Sequence, residues 1–233
     1  MEKRYTYDEF MDIIATLRSK NGCPWDKEQT HDSLRPCMIE EAYELLAAIR
    51  IYDKSGDADN LKEELGDVLL QVALHSQIAK EEGLFTMEDV VSDIAEKMIR
   101  RHPHVFGDVY ADNSDQVLKN WEEIKKKEKE GKSWVTTPLR DIPEELPALV
   151  RASKVYKKAD KLYKTELSVE NSVIALQENA KRLSGEKEMD DGQVAGVLTD
   201  MLADICKIAA KRRLSVEQTL SDKVNDFIEK IER

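Results

Sequence analysis

The sequence predicts an all-α protein, and three observations carry that prediction. Apolar residues recur at helical spacing along almost all of the 233 residues. Gly and Pro are scarce, 9 and 6 in number, which leaves too little turn chemistry for a sandwich or a barrel. Charged residues make up 36% and apolar ones 41%, a mixture rich in helix formers, and no segment carries a strand signal. The length allows one large domain or two small ones, each able to bury a real core.

The elements follow in order. Residues 7–17 set Phe10, Ile13, Ile14 and Leu17 on one face, and Asn21-Gly22 stops that helix. The segment NGCPWDKEQTHD has no helical period and is expected to be an ordered loop. From 34 to about 51, Ile39, Ala42, Leu45, Leu46 and Ile49 alternate with acids at helical spacing. The polar run 53–57 breaks the pattern, and a second long helix is predicted over 59–82 with Gly83 as its stop. Thr86 with Asp89 forms a capping box for a helix that ends near His102, ahead of Pro103. Ser114 is the expected cap of a helix running through Trp121 to Lys129. Residues 131–147 hold Pro138, Pro143 and Pro147 and are predicted to link two helical lobes, 1–130 and 148–233. The second lobe reads as helices at 148–163, 169–184, 193–212 and 216–232, with Ser168 and Ser215 as caps.

The charge balance, 36 Lys and Arg against 47 Asp and Glu, gives a formal net charge of −11 and a pI near 5.0. No broad cationic surface is left for nucleic acid, so a nucleic-acid partner is not expected. A small polyphosphate remains possible, because a divalent cation can neutralise it. Cys23, Cys37 and Cys206 form no C-x-x-C pair, which excludes a disulfide framework and fits a reducing compartment. The N-terminus lacks a signal-peptide core, and no apolar run approaches the roughly 20 residues that span a bilayer. A soluble, cytoplasmic protein without a membrane partner is the expectation.

The informative stretch is Glu40-Glu41-Ala42-Tyr43-Glu44, followed after 19 residues by Glu64-Leu65-Gly66-Asp67. On a helix Glu41 and Glu44 are i,i+3 and Glu40 and Glu44 are i,i+4, so they share one side. Glu64 and Asp67 are again i,i+3, and a short loop makes the two helices antiparallel neighbours. Flanking Leu45, Leu46, Leu65, Val68 and Leu69 are expected to hold the acids close to the core. Converging carboxylates repel unless a cation neutralises them. Hard oxygen ligands without His or Cys favour Mg²⁺ or Mn²⁺. Two other readings stay open on spacing alone. A pair of solvated acidic helices would need Lys or Arg partners, and only Lys62 and Arg50 stand nearby. A di-iron carboxylate bundle would need Glu-x-x-His, which is absent, leaving only His75 to rescue it.

E-E-x-x-E followed by E-x-x-D resembles the signature of the all-α nucleoside triphosphate pyrophosphohydrolases. Further stretches are similar to the MazG type: NGCPWDKEQTHDSL at 21–34, EELGDVLLQV at 63–72, EKMIRRHPHVFGD at 96–108, NWEEIKKKEK at 120–129 and IPEELPALVRASKVYKKA at 142–159. The resemblance covers residues 5–160. It implies hydrolysis of an NTP or dNTP between the α- and β-phosphates, giving the monophosphate and pyrophosphate. It implies metal positions at Glu41, Glu44, Glu64 and Asp67, with Glu40 and Glu41 as catalytic acids that orient or deprotonate water. It also implies removal of aberrant or surplus nucleotides.

Cations must meet the outer phosphates. Lys97, Arg100 and Arg101 stand at i, i+3 and i+4, a compact patch that would otherwise only complement the helix C-terminus. The resemblance makes Lys97 and Arg101 phosphate contacts, and sets Trp121 and Lys125 (W-x-x-I-K) over the nucleotide. Trp25 could stack on a base or anchor the core. His102 and His104, flanking Pro103, read as a structural cap.

The family often carries two copies of the acidic module. The best internal register sets Asp67 against Asp200, Glu64 against Val197 and Glu44 against Glu178, with Glu40 and Glu41 meeting Ile174 and Ala175. One short deletion further on, Lys97 falls at Asp226, Arg100 at Glu229 and Arg101 at Lys230. The expected architecture is therefore a helical bundle of two related modules, the first intact and the second degenerate. A single module would leave an apolar side exposed, which predicts a homodimer. A catalytically weak regulatory nucleotide-binding module, or a ligand-free structural partner, would carry the same helices without turnover.

Overall fold

All regular structure among the described residues is helical. The computed structural model describes residues 3–110, 113–129, 137–185 and 189–232. Its helices are α1 (Tyr7–Arg18), α2 (Pro24–Glu28), α3 (Arg35–Ser55), α4 (Asp59–Glu81), α5 (Met87–Arg101), α6 (Pro103–Phe106), α7 (Ser114–Lys129), α8 (Ala148–Tyr163), α9 (Val169–Leu183), α10 (Asp191–Arg212) and α11 (Val216–Ile231). They belong to two compact units, Met1–Glu128 and Lys129–Arg233. None is long and apolar enough to cross a membrane.

Local chemistry sets most of the helix ends. Thr6 and Glu9 form a capping box on α1, the Glu9 N–H donating to Thr6 Oγ1 at 3.2 Å and the Thr6 N–H to Glu9 Oε2 at 2.9 Å. Thr86 and Asp89 do the same on α5, as the spacing predicts. Gly83, at φ +72°, follows the end of α4 in the left-handed region where a side chain is strained. At Gly22 the limit is space, because a Cβ there would lie 2.2 Å from the Leu17 carbonyl oxygen.

Several expectations need correction. The 21–32 segment is not all loop: Pro24 opens the short α2, since its fixed φ suits a first helical turn. The start of α7 is capped by Asn113, whose Oδ1 accepts from the Gln116 N–H at 3.0 Å, and Ser114 is already helical. Ser168 caps α9 through the Asn171 N–H, whereas the Ser215 side chain makes no capping bond on α11. Part of the 131–147 stretch lies outside the described residues. Its described part, 137–147, is turns with Ile142 buried.

In the first unit α3 packs along α4, and α4 also contacts α1 and α5. The core is Ile14 of α1, Leu34, and Ala73, Leu74 and Ile78 of α4, with Phe10, Met11, Leu17 and Leu70 against it. Arg18 is buried beside that core. Its Nη2 reaches Glu81 Oε2 at 2.9 Å, and its Nη1 donates to the carbonyls of Asp26 and Gln29. One guanidinium thus ties α1, α4 and the segment around α2 together. In the second unit α10 packs against α8 and α9, with α11 beside both α8 and α10.

Candidate active site

The carboxylates converge on the first halves of α3 and α4. The link at 56–58 folds these helices back on one another, Gly56 allowing the turn at φ +75° and Asp57 accepting the Asp59 N–H at 3.0 Å. One carboxylate oxygen from each of Glu41, Glu64 and Asp67 lies within 4.8 Å of the other two. Glu44 is near enough for its charge to act on Glu41. Burial, then the charges of Asp67, Glu44 and Glu64, push the Glu41 carboxyl above its ordinary value. None of the four acids has a Lys or Arg ion pair among the described residues.

Glu64 adds a separate observation. Its Oε1 accepts from Asn60 Nδ2 at 3.0 Å, while its Oε2 is buried with no hydrogen-bond partner. An orphaned, charged oxygen beside two further carboxylates fits a bound divalent cation. Asn60 stands one helical turn before Glu64 and orients it. Its i,i+4 spacing from Glu64 is the sequence signal for that role. Glu40 is exposed on α3 and outside the three-oxygen group. The flanking apolar residues do not bring the acids into a core of this chain as expected, since Leu46 is 56% and Leu65 is 53% exposed. Ile39, Tyr43 and Leu69 are exposed as well, so α3 carries exposed apolar residues at i, i+4 and i+7 and α4 at i and i+4.

A second cluster forms where α5 meets α7. Arg100 and Arg101 both bind Glu128, and the Arg101 guanidinium lies 5.8 Å from the Trp121 ring centroid. Hydrogen bonding from Arg101, helped by Arg100, holds the Glu128 carboxyl down at about 2. Lys97 is half-buried and makes no ion pair among the described residues. Lys125 stands one turn beyond Trp121, on the same side of α7. Trp25, on α2, is 58% exposed and does not anchor the core. His102 serves as a cap, its Nδ1 lying 2.7 Å from the Met98 carbonyl oxygen at the end of α5. His75 is paired: its Nδ1 is 2.8 Å from that of His31, and the rings stack. That pairing occupies the one histidine a di-iron reading could use.

Adjacent long helices of an all-α scaffold thus present Glu41, Glu64 and Asp67 to one another. Comparison with known proteins identifies the family. The MazG nucleotide pyrophosphohydrolase domain model matches residues 29–106. The chain is 38% identical over 227 residues to the nucleoside triphosphate pyrophosphohydrolase/pyrophosphatase MazG of Thermotoga maritima, covering 97% of this chain and 84% of that protein. It is 47% identical over 152 residues to the nucleoside triphosphate pyrophosphohydrolase of Escherichia coli K12, covering 65% and 56%. It is 53% identical over 159 residues to YabN of Bacillus subtilis, covering 67% of this chain and 31% of that protein. The chain belongs to the MazG family. It spans most of the Thermotoga relative, but about half of the E. coli protein and a third of YabN.

Proposed function

We propose that this protein hydrolyses nucleoside triphosphates, both NTP and dNTP, to the nucleoside monophosphate and pyrophosphate. The observation that carries the reading is the convergence of Glu41, Glu64 and Asp67 oxygens, with the buried Glu64 Oε2 left without a partner. A divalent cation, Mg²⁺ with Mn²⁺ as the alternative, would supply Lewis acidity and neutralise phosphate charge there. Glu41, Glu44, Glu64 and Asp67 would hold it. Glu40 and Glu41 are the acids that orient water or take its proton as it attacks the α-phosphorus. The α–β bridging oxygen leaves with pyrophosphate, and the water oxygen stays on the monophosphate. Lys97, Arg100 and Arg101 take the β- and γ-phosphates, and Trp121 and Lys125 flank the nucleotide. Trp25, exposed on α2, is the candidate for stacking on the base.

The remaining parts of the reading have separate supports. The exposed apolar residues of α3 and α4, Ile39, Tyr43, Leu46, Leu65 and Leu69, support a homodimer in which a second copy covers them. The three free cysteines support a cytoplasmic protein, and the acidic balance supports the absence of a nucleic-acid partner. Residues 148–233 are assigned as a degenerate second module, joined through 131–147 to the catalytic module at 1–130. The assigned role is cleaning of the nucleotide pool.

The test is release of pyrophosphate and monophosphate from a mixed NTP and dNTP panel, run with Mg²⁺, with EDTA and with Glu41→Gln. Cation-dependent release that disappears in the variant is the expected result. Release that survives Glu41→Gln would move catalysis elsewhere. Metal-dependent binding without release would make the protein a nucleotide-binding module instead.

A further inference from the structure

Glu128 ends the stripe of α7 that begins at Trp121 and passes through Lys125, at spacings of seven and three residues. Its side chain is 14% exposed and takes two guanidiniums at once. Arg100 Nε and Nη2 each reach Oε1 at 2.8 Å. Arg101 Nε reaches Oε2 at 3.1 Å, and its Nη2 binds the same oxygen. The Trp121 ring stands beside Arg101 as well. Among the described residues no other helix packs closely along α7, and these polar contacts join it to α5.

We propose that Glu128 is a positioning residue of the active site, which holds Arg100 and Arg101 by their Nε–Nη2 edges and so presents their remaining N–H donors, with Trp121 and Lys125, to the outer phosphates of a nucleoside triphosphate. The inference rests on the reading of those two arginines as phosphate ligands. Consecutive helical residues point about 100° apart, so Arg100 and Arg101 do not converge without a common anchor. Two neighbouring guanidiniums also repel, and each free side chain loses rotamer freedom when it is held in place. One shared carboxylate removes both obstacles. It leaves a net charge of +1 on the trio, to which Lys97 adds another.

The donor count favours positioning over obstruction. A guanidinium has five N–H donors in a fixed fork. Glu128 engages the Nε and Nη2 of each arginine, and the Nη1 group of each stays available. A phosphate that displaced Glu128 would strand a largely buried carboxylate, which is costly. Held at about 2, that carboxyl stays ionised throughout the neutral range and cannot let go by protonation.

The test is calorimetric binding of inorganic pyrophosphate, with Mg²⁺, to the full-length wild type, Glu128→Gln and Glu128→Asp. Inhibition by a nucleoside monophosphate is measured beside it. Glu128→Gln is expected to weaken pyrophosphate binding about tenfold, the scale of losing charge-assisted contacts, and to raise the KM for triphosphate similarly. The kcat should change less, monophosphate inhibition should stay the same, and Glu128→Asp should recover part of the loss. Unchanged or tighter pyrophosphate binding in Glu128→Gln would overturn the proposal, the latter by making Glu128 a competitor of phosphate. Equal loss of pyrophosphate and monophosphate would overturn it too, by showing a general structural role. A wild type that releases no pyrophosphate from any nucleotide would overturn the proposed activity, while the pyrophosphate titration would still decide the role of Glu128.

Discussion

Each unit packs long helices against one another, but the first carries a strong negative charge and the second is neutral. Residues 1–128 hold 17 Lys and Arg against 28 Asp and Glu, while residues 129–233 hold 19 of each. The whole net charge of −11 therefore belongs to the first unit. Its packed pair, α3 and α4, gathers carboxylates without a side-chain cation, and one of them has a buried oxygen with no partner. The packed pair of the second unit, α9 and α10, does the reverse. Val197, opposite Glu64 in the internal register, is 1% exposed, and the buried Asp204 is paired with Lys207 at 2.8 Å. A helix pair that only has to be stable buries Val and neutralises its acids locally. One that concentrates unpaired acids bears a continuing cost and needs a cation to offset it.

The comparison can be broken most sharply by matched substitutions. Asp67→Asn should lower pyrophosphate release on the order of 10²-fold, as disturbed metal sites do, while Asp200→Asn should leave release within about twofold. Equal losses would mean that the second unit shares the chemistry. The next effect is on stability. Arg18→Met removes charge-assisted bonds to Glu81 and to two carbonyls of the α2 segment, and should cost about 2–4 kcal/mol in denaturant unfolding. An unchanged midpoint would show that the α2 segment is held by other contacts.

The smallest effects are in pH, and the two raised or lowered acids differ in sign. The Glu41 carboxyl lies above its ordinary 4.5 in the folded chain. Its contribution to stability is fully present below 4.5 and is lost as pH rises through the folded value, so at neutral pH the metal-free first unit is penalised. Glu128 behaves in the opposite way. Its stabilising contribution is present above 4.5 and is lost as pH falls toward about 2. Urea unfolding of the metal-free protein, followed from neutral pH to pH 5, should show stability rising in wild type and a flatter response in Glu41→Gln. The same slope in both would remove Glu41 as the source.

Most of the fold was legible because it is written locally. The capping box at Thr86, the left-handed glycines at 56 and 83, and the proline-rich stretch before α8 each act over a few residues. The acids of the site were legible for a related reason: i,i+3 spacing on two helices joined by a short link constrains where carboxylates can go. What was not legible depends on long-range partners. Arg18 finds Glu81 at a separation of 63 residues, and Glu128 finds Arg100 and Arg101 at 28 and 27. Leu46 and Leu65 are exposed against expectation because an apolar flank indicates burial without naming the surface that provides it. The five-residue α2 is too short to show a helical period, so Pro24 at its start carries no signal that separates a loop from a helix.

The central claim is that the Glu41, Glu44, Glu64 and Asp67 cluster is built to be neutralised by a divalent cation. A thermal unfolding series across an Mg²⁺ titration, with wild type beside Glu41→Gln, tests it most directly. Wild type should gain about 2.7 kcal/mol at 100 times the dissociation constant, several degrees in Tm. Glu41→Gln should start higher without metal and gain little. Equal gains in both proteins, or none in wild type, would contradict the account.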